Sequence, residues 1–298
     1  MLHCISMSRV CLVLEGGGNR GAYTSGVLDA FLDSNIDIKS VYGVSAGALN
    51  ALSYLSKQKG RSLLVNKQVV LNDKYISYKN ILNGKNVVNL DKLLDLSNTD
   101  LPPFDLETFN QREKYVVTCT NVLTGAPVYK EITDYNSDVQ YIKASASLPL
   151  FSKIVEVDSL KLLDGGISDS IPVLKAINDG YDKVVVVLTR DKDYVSMPYK
   201  LLRAYKIKYF KYRNLLDTMS NRFNKYNVTR DLIENYEKEK KVIAIYPSQP
   251  LVIKNLEKDE NKIDEIYKLG YEDAMSMISK IKQFVGEEKH EQEQKSKR

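Results

Sequence analysis

An α/β fold built on a parallel, doubly wound sheet is what this 298-residue sequence predicts, on three observations. Short, nearly continuous apolar runs, of which DKVVVVLTR at Asp182 to Arg190 is the plainest, read as strands buried on both faces. Two others, RVCLVLE and IKSVYGV, each pass through a tight turn into a helix-forming segment, and successive strand–turn–helix units favour parallel neighbours. A hydrophobic content of 43% over this length fills a sizeable core.

Taken in order, Arg9 to Glu15 forms the first strand and GGGNRG turns the chain. AYTSGVLDAFLDS then sets Tyr23, Val27, Leu28 and Phe31 at helical spacing. IKSVYGV is the second strand and SAGALNALSYLSK its helix. Residues from about Gly60 to Asn110 are less regular, with the LPPF at Leu101 to Phe104 a loop, and read as an insertion or cap. KYVVTCTNV and PVYKEIT are strands by their β-branched content, YIKASASLP a helix ended by Pro149, and KLLDGG a short strand closing on a turn. After the strand at Asp182 to Arg190, a long helical region spans about Tyr199 to Lys240, VIAIYP makes a late strand, and Asp259 to Val285 a terminal helix. One domain over residues 9–285 is expected, with a motif-bearing core at about 10–190 and a helical C-terminal part at about 199–285. The charged tail 286–298 has almost no apolar residue and is expected to be disordered.

No apolar run approaches the ~20 residues of a spanning helix, and MLHCISMSR has neither a long apolar region nor a cleavage site, so a soluble, cytoplasmic protein is expected. Cys4, Cys11 and Cys119 are odd in number and far apart, which argues for buried thiols rather than a disulfide framework or metal site. The net charge of +5 is unevenly placed: residues 199–230 hold nine Lys or Arg against one acid, Asp217.

Within the second unit sits GVSAG, a G-x-S-x-G pattern that is weak evidence alone. Its setting strengthens it, because a strand ends and a helix begins there, and Gly43 and Gly47 allow the sharp turn of a nucleophile elbow around Ser45. GGGNRG can be read as a dinucleotide fingerprint, a phosphate loop or an oxyanion hole. The acid a dinucleotide site needs after its second strand is missing, and so is the Gly-Lys-Ser/Thr ending of a phosphate loop. Bare backbone N–H groups beside an elbow serine explain both motifs together. The base is found by elimination: His3 and His290 lie at the chain's extremes, whereas Asp164, followed by Gly165 and Gly166, sits at a strand end. Alone, an aspartate before two glycines would read as a turn former.

EGGGNRG, GVSAG and DGG, in this order, resemble the three signature blocks of the patatin-like phospholipases, and ASASLP at Ala144 to Pro149 resembles the small-residue block before the aspartate. The resemblance covers about Val10 to Arg190. It implies a three-layer α/β/α fold with a central, mostly parallel sheet and a lipid acyl hydrolase, of phospholipase A or lysophospholipase type, needing neither calcium nor another cofactor. By position, Ser45 is the nucleophile and Asp164 the base. Gly16, Gly17 and Gly18 offer oxyanion N–H groups, with Arg20 nearby and the Ala46 N–H a further donor. Glu15 stands where plant members have Asp.

Seven aromatics interleave with the cations of residues 199–230, a composition that suits an anionic membrane surface. Peripheral binding there is expected, and nucleic-acid binding is not, since no such fold accompanies the charge. The competing readings are a non-catalytic lipid-binding or scaffold protein with the same fold, and a nucleotide-binding module using the glycine loop.

Overall fold

The apolar runs become strands because nothing in them needs water. In the computed structural model, which describes residues 8–77, 86–253 and 259–286, the sheet comprises β1 (Val10–Leu14), β2 (Ser40–Val44), β3 (Lys114–Asn121), β4 (Pro127–Glu131), β5 (Val155–Val157), β6 (Leu160–Asp164), β7 (Lys183–Val187) and β8 (Val242–Ile245). Their order is β5-β6-β3-β2-β1-β7-β8, with β4 also paired to β3. The strands β3, β2, β1, β7 and β8 run parallel, whereas β4 and β6 are antiparallel to β3, and β5 to β6. The sheet is thus mostly parallel, and its antiparallel strands lie at this end, where the β3–β4 and β5–β6 connections are too short for a crossover. Residues 158–159, both at positive φ, join β5 to β6, and a turn containing Gly125 joins β3 to β4.

Alternate residues of β1 face opposite layers. Leu12 and Leu14 pack with α1 (Gly21–Asp33), α2 (Ala46–Leu55), α6 (Tyr135–Ser145) and α10 (Glu260–Val285), while Cys11 and Val13 pack with α7 (Val173–Asn178) and α9 (Arg213–Lys238). The result is the three-layer α/β/α arrangement, and Tyr23, Val27, Leu28 and Phe31 are all buried in the first layer.

The less regular region contains α3 (Arg61–Leu71), α4 (Leu90–Leu94) and α5 (Leu106–Phe109), around a satellite core of Tyr75, Leu90, Leu93 and Leu101. Helix α6 begins earlier than YIKAS suggests, because Asp134 caps it by accepting from the Ser137 N–H, and it ends at Ser145 rather than at Pro149. The long basic helix is two, α8 (Leu202–Lys208) and α9, broken at residues 209–212. Cys11 and Cys119 are buried free thiols; Cys4 lies outside the described residues. Of the tail, only Gly286 is described, closing α10 at φ 93°; the expected disorder of 287–298 falls outside the described residues. No described helix is long and apolar enough to cross a membrane.

Candidate active site

Two strands meet head to head along one edge of β3. β4 occupies one edge at Val116 to Thr120, so β2 and β6 must share the other: β2 ends with Val44 opposite Thr118, and β6 arrives from the opposite direction and ends with Asp164 opposite Cys119. Ser45 and Asp164 are thereby brought together at the junction. The sequence places Asp164 at the carboxyl end of its strand, but that strand runs against its neighbours, and only its short overlap with β3 puts the aspartate beside the elbow.

Ser45 has φ 53° and ψ −122°, a conformation that costs a non-glycine residue on the order of 1–3 kcal/mol, and it opens α2. Gly43 and Gly47 make the turn possible by closeness: a Cβ on Gly43 would come within 2.7 Å of Ala48 Cα, and one on Gly47 within 2.5 Å of the Leu14 carbonyl. The strained backbone is held from beneath. The Ser45 N–H donates to Ser145 Oγ at 3.0 Å, and that hydroxyl donates to the Thr118 carbonyl at 2.7 Å. Sequence reasoning assigned Ser145 no such part; its only signal was its place in ASASLP.

Asp164 is buried. Its Oδ1 accepts the Gly166 N–H at 2.7 Å, and its own N–H donates to the Ser147 carbonyl at 2.9 Å. Oδ2 is buried and no donor meets it in full hydrogen-bond geometry, which is the state expected of a proton acceptor before a substrate tightens the site. Burial pushes the carboxyl up to about 6, against the opposing pull of the Ser45 hydroxyl, the Gly166 N–H and the Arg222 charge. Helix α9 braces this loop from above: Arg222 Nε donates to the Gly166 carbonyl at 2.5 Å and Nη2 to Ser170 Oγ at 3.0 Å.

The glycine loop leaves β1 beside the elbow, and a Cβ added to Gly16 would lie 3.0 Å from Ser45 Cβ. Glu15 anchors the loop, accepting from the Thr189 N–H at 2.6 Å and the Tyr226 hydroxyl at 2.8 Å. Gly17 and Gly18 follow, and Arg20 is close to Arg190: burial first, and the Arg190 charge second, lower the Arg20 guanidinium from its ordinary value. Gly165 is buried against Thr118 and Gly166 lies on the open side. His3 and His290 lie outside the described residues.

Ser45 lines two cavities. One, of about 120 Å³, runs under α3, α4 and the 101–104 segment past Leu49, Val65, Val69, Leu93 and Leu101. The other, of about 470 Å³, also reaches Asp164 and the glycine loop and is walled by cations and tyrosines. Among the described residues, no group of three or more His, Cys, Asp or Glu could hold a metal ion.

Residues 12–177 match the patatin-like phospholipase family, and residues 212–286 match a domain of unknown function, DUF6363. The chain is 28% identical to YjjU of Escherichia coli K12 over 269 residues, covering 88% of this chain and 75% of that protein. It is 29% identical to the NTE family protein Rv1063c of Mycobacterium tuberculosis H37Rv over 188 residues, 61% of this chain and 49% of that protein. The crystal structure of VipD from Legionella pneumophila shares the fold, with a TM-score of 0.50 at 14% identity over 92% of this chain and 67% of that one.

Proposed function

The chain belongs to the patatin-like phospholipase family, and from that premise we propose that it is a lipid acyl hydrolase working through a Ser45–Asp164 dyad. The observation that carries the reading is the meeting of a strained elbow serine with a buried carboxylate whose Oδ2 has no partner in hydrogen-bond geometry. Asp164 takes the Ser45 proton as Oγ attacks an ester carbonyl. The N–H groups of Gly16, Gly17 and Gly18, with that of Ala46 at the positive end of α2, hold the oxyanion, each such donor being worth about 3 kcal/mol in the transition state. Arg20 supports the loop from the side. The alcohol leaves with the proton from Asp164, and a water activated by the same carboxylate then releases the fatty acid. A carboxyl raised to about 6 is a stronger base than an ordinary aspartate, which suits a dyad without histidine.

The acyl chain enters the apolar cavity beneath α3 and α4, which makes these two helices and the 101–104 segment the cap of that site. The reaction needs no calcium or other cofactor, and the substrate is a phospholipid, lysophospholipid or related lipid ester. The protein works in the cytoplasm at the surface of anionic membranes, and residues 9–285 act as one catalytic unit.

Hydrolysis of a p-nitrophenyl ester and labelling by a fluorophosphonate, both in EDTA, test the reading. The parent is expected to do both and Ser45→Ala neither, with unchanged circular dichroism. Labelling that survives in Ser45→Ala would refute the nucleophile, and activity lost in EDTA and restored by calcium would refute the metal-free mechanism.

A further inference from the structure

The apolar cavity beside Ser45 is closed at its far end by side chains that the reaction does not use. Ala46, Leu49, Asn50 and Ser53 line it from α2 at helical spacing, so it follows one face of that helix away from the elbow, to a depth of about 10 Å at roughly 1.5 Å per residue. Arg61 stands at the Ser53 end. Its Nη1 donates to Ser53 Oγ and its Nε to the carbonyls of Pro102 and Pro103, each at 3.3 Å, and its guanidinium lies 5.1 Å from the ring centroid of Phe104. The 101–104 segment is held from the same turn, where Gln58 Nε2 donates to the Pro103 carbonyl at 2.7 Å and Gln58 Oε1 accepts the Asp105 N–H at 2.9 Å. Phe104 in turn packs on Tyr135 at 5.3 Å between ring centroids, and the Tyr135 hydroxyl is fixed to the Leu94 carbonyl at 2.7 Å.

We infer that the wall made by Arg61 and Phe104 limits the acyl group to about five to eight carbons, so that the site takes short or truncated acyl chains ahead of full-length membrane chains. The inference rests on the acyl-hydrolase reading above and names the acyl group it accepts. Two estimates bracket the length. An apolar cavity of about 150 Å³ takes one benzene ring, so the 120 Å³ here has room for about five carbons. An extended chain of tetrahedral carbons advances about 1.25 Å per bond, so a depth of about 10 Å takes about eight. Within that length each methylene leaves water for an apolar wall, a gain of roughly fourfold in binding. Beyond it the chain meets a guanidinium and two carbonyls already bonded to one another, and a methyl group gains no apolar contact there unless it breaks those bonds.

The test compares kcat/KM for the p-nitrophenyl esters of butanoic, octanoic and dodecanoic acid, each kept below its aggregation concentration, in the parent, in Phe104→Ala and in Leu49→Phe. The parent is expected to favour octanoate over dodecanoate by about tenfold or more, mainly through KM. Phe104→Ala, with unchanged circular dichroism, lengthens the cavity and should cut that preference to about threefold or less. Leu49→Phe adds bulk halfway along the cavity from a half-buried position and should move the optimum to butanoate. A parent that hydrolyses octanoate and dodecanoate equally overturns the inference, as does a folded Phe104→Ala that keeps the parent's preference. Should Phe104→Ala fail to fold, Leu49→Phe decides: an optimum left at octanoate overturns the proposal. Fluorophosphonate labelling keeps the two readings apart. A parent that neither labels nor hydrolyses refutes the hydrolase, while a labelled parent without a chain-length preference refutes only the limit.

Discussion

At Asp164, the base of the proposed dyad, one property would serve catalysis and opposes stability. The carboxyl is raised to about 6 because burial disfavours its charged form, so the base is competent only above that pH. Activity is expected to fall about tenfold per pH unit below 6 and to level off above it, measured as kcat/KM on a soluble ester; a profile flat from pH 5 to 8 would remove Asp164 from the mechanism. For stability the sign is opposite. A folded-state value above the unfolded one means the native protein holds this proton more tightly, so the stabilisation is complete below about pH 4 and lost as pH rises through 6. At pH 8 the buried charge costs on the order of 3 kcal/mol, which Asp164→Asn avoids while keeping an acceptor for the Gly166 N–H. That variant should lose most activity yet unfold at higher urea than the parent at pH 8, by a margin that narrows at pH 5. Equal midpoints at pH 8 would mean that the carboxylate is not desolvated. Ser45 was legible because an elbow imposes small residues on its immediate neighbours. Asp164 was reached by excluding histidine, by its place at a strand end and by the DGG block of the resemblance. Ser145, Arg190 and Arg222 were not legible as site residues: Ser145 had only its place in ASASLP, and all three are positioned by tertiary packing between segments distant in the chain.

At the scale of elements, the sequence conveyed the buried strands well and their directions less well. Valine-rich runs such as β7 admit one reading, but β6 has five residues, and its antiparallel sense depends on a two-residue turn at 158–159 that carries no Gly or Asn signal. The basic segment shows the same limit. Its periodicity predicts helix, and helix forms, but Tyr205, Tyr209 and Tyr226 are core residues and Arg230 is buried, so they do not serve a surface. In their place the chain exposes Met197 (73%), Ile207 (78%) and Phe210 (64%), among the exposed Lys200, Arg203, Lys206, Lys208 and Lys211. Met197 and Lys200 also line the cationic cavity, so this patch borders the active-site mouth. We propose it as the membrane-docking face, narrowed from 199–230 to about 195–213. Changing Lys206, Lys208 and Lys211 together to Glu should weaken sedimentation with anionic liposomes by at least about a hundredfold, at roughly 1 kcal/mol per cation. Ile207→Ser/Phe210→Ser should weaken it further at high salt, where the apolar contribution persists. Equal binding by parent and charge-reversed variant at low salt would leave α8 an ordinary solvated helix.

At the scale of the whole molecule, the first helix and the last described one pack on each other. Helix α10 lies along α1, more than 200 residues earlier in the chain, and the two approach so closely that each offers a glycine to the other's backbone. A Cβ on Gly26 would lie 2.0 Å from the Tyr267 carbonyl oxygen, and one on Gly270 would lie 2.1 Å from that of Tyr23. Three tyrosine–aspartate hydrogen bonds cross the seam, Tyr23 to Asp273 at 3.0 Å and Tyr267 to Asp29 and Tyr271 to Asp33 at 2.8 Å. Because α1 also follows directly on the glycine loop, this contact ties the C-terminal helix to the first catalytic block. Both glycines stand in the sequence as unremarkable helix interruptions, since what they make room for is a distant backbone. If residues 9–285 fold as one unit, disturbing the seam must destabilise the active site along with it. Gly26→Val is expected to lower stability by about 3 kcal/mol or more, a fall of roughly 5 °C in Tm for a chain of this size. Its urea transition followed by circular dichroism should coincide with the loss of fluorophosphonate labelling of Ser45. Two separated transitions, with labelling outlasting the loss of helix, would instead make α10 an independent module docked on a self-sufficient catalytic core.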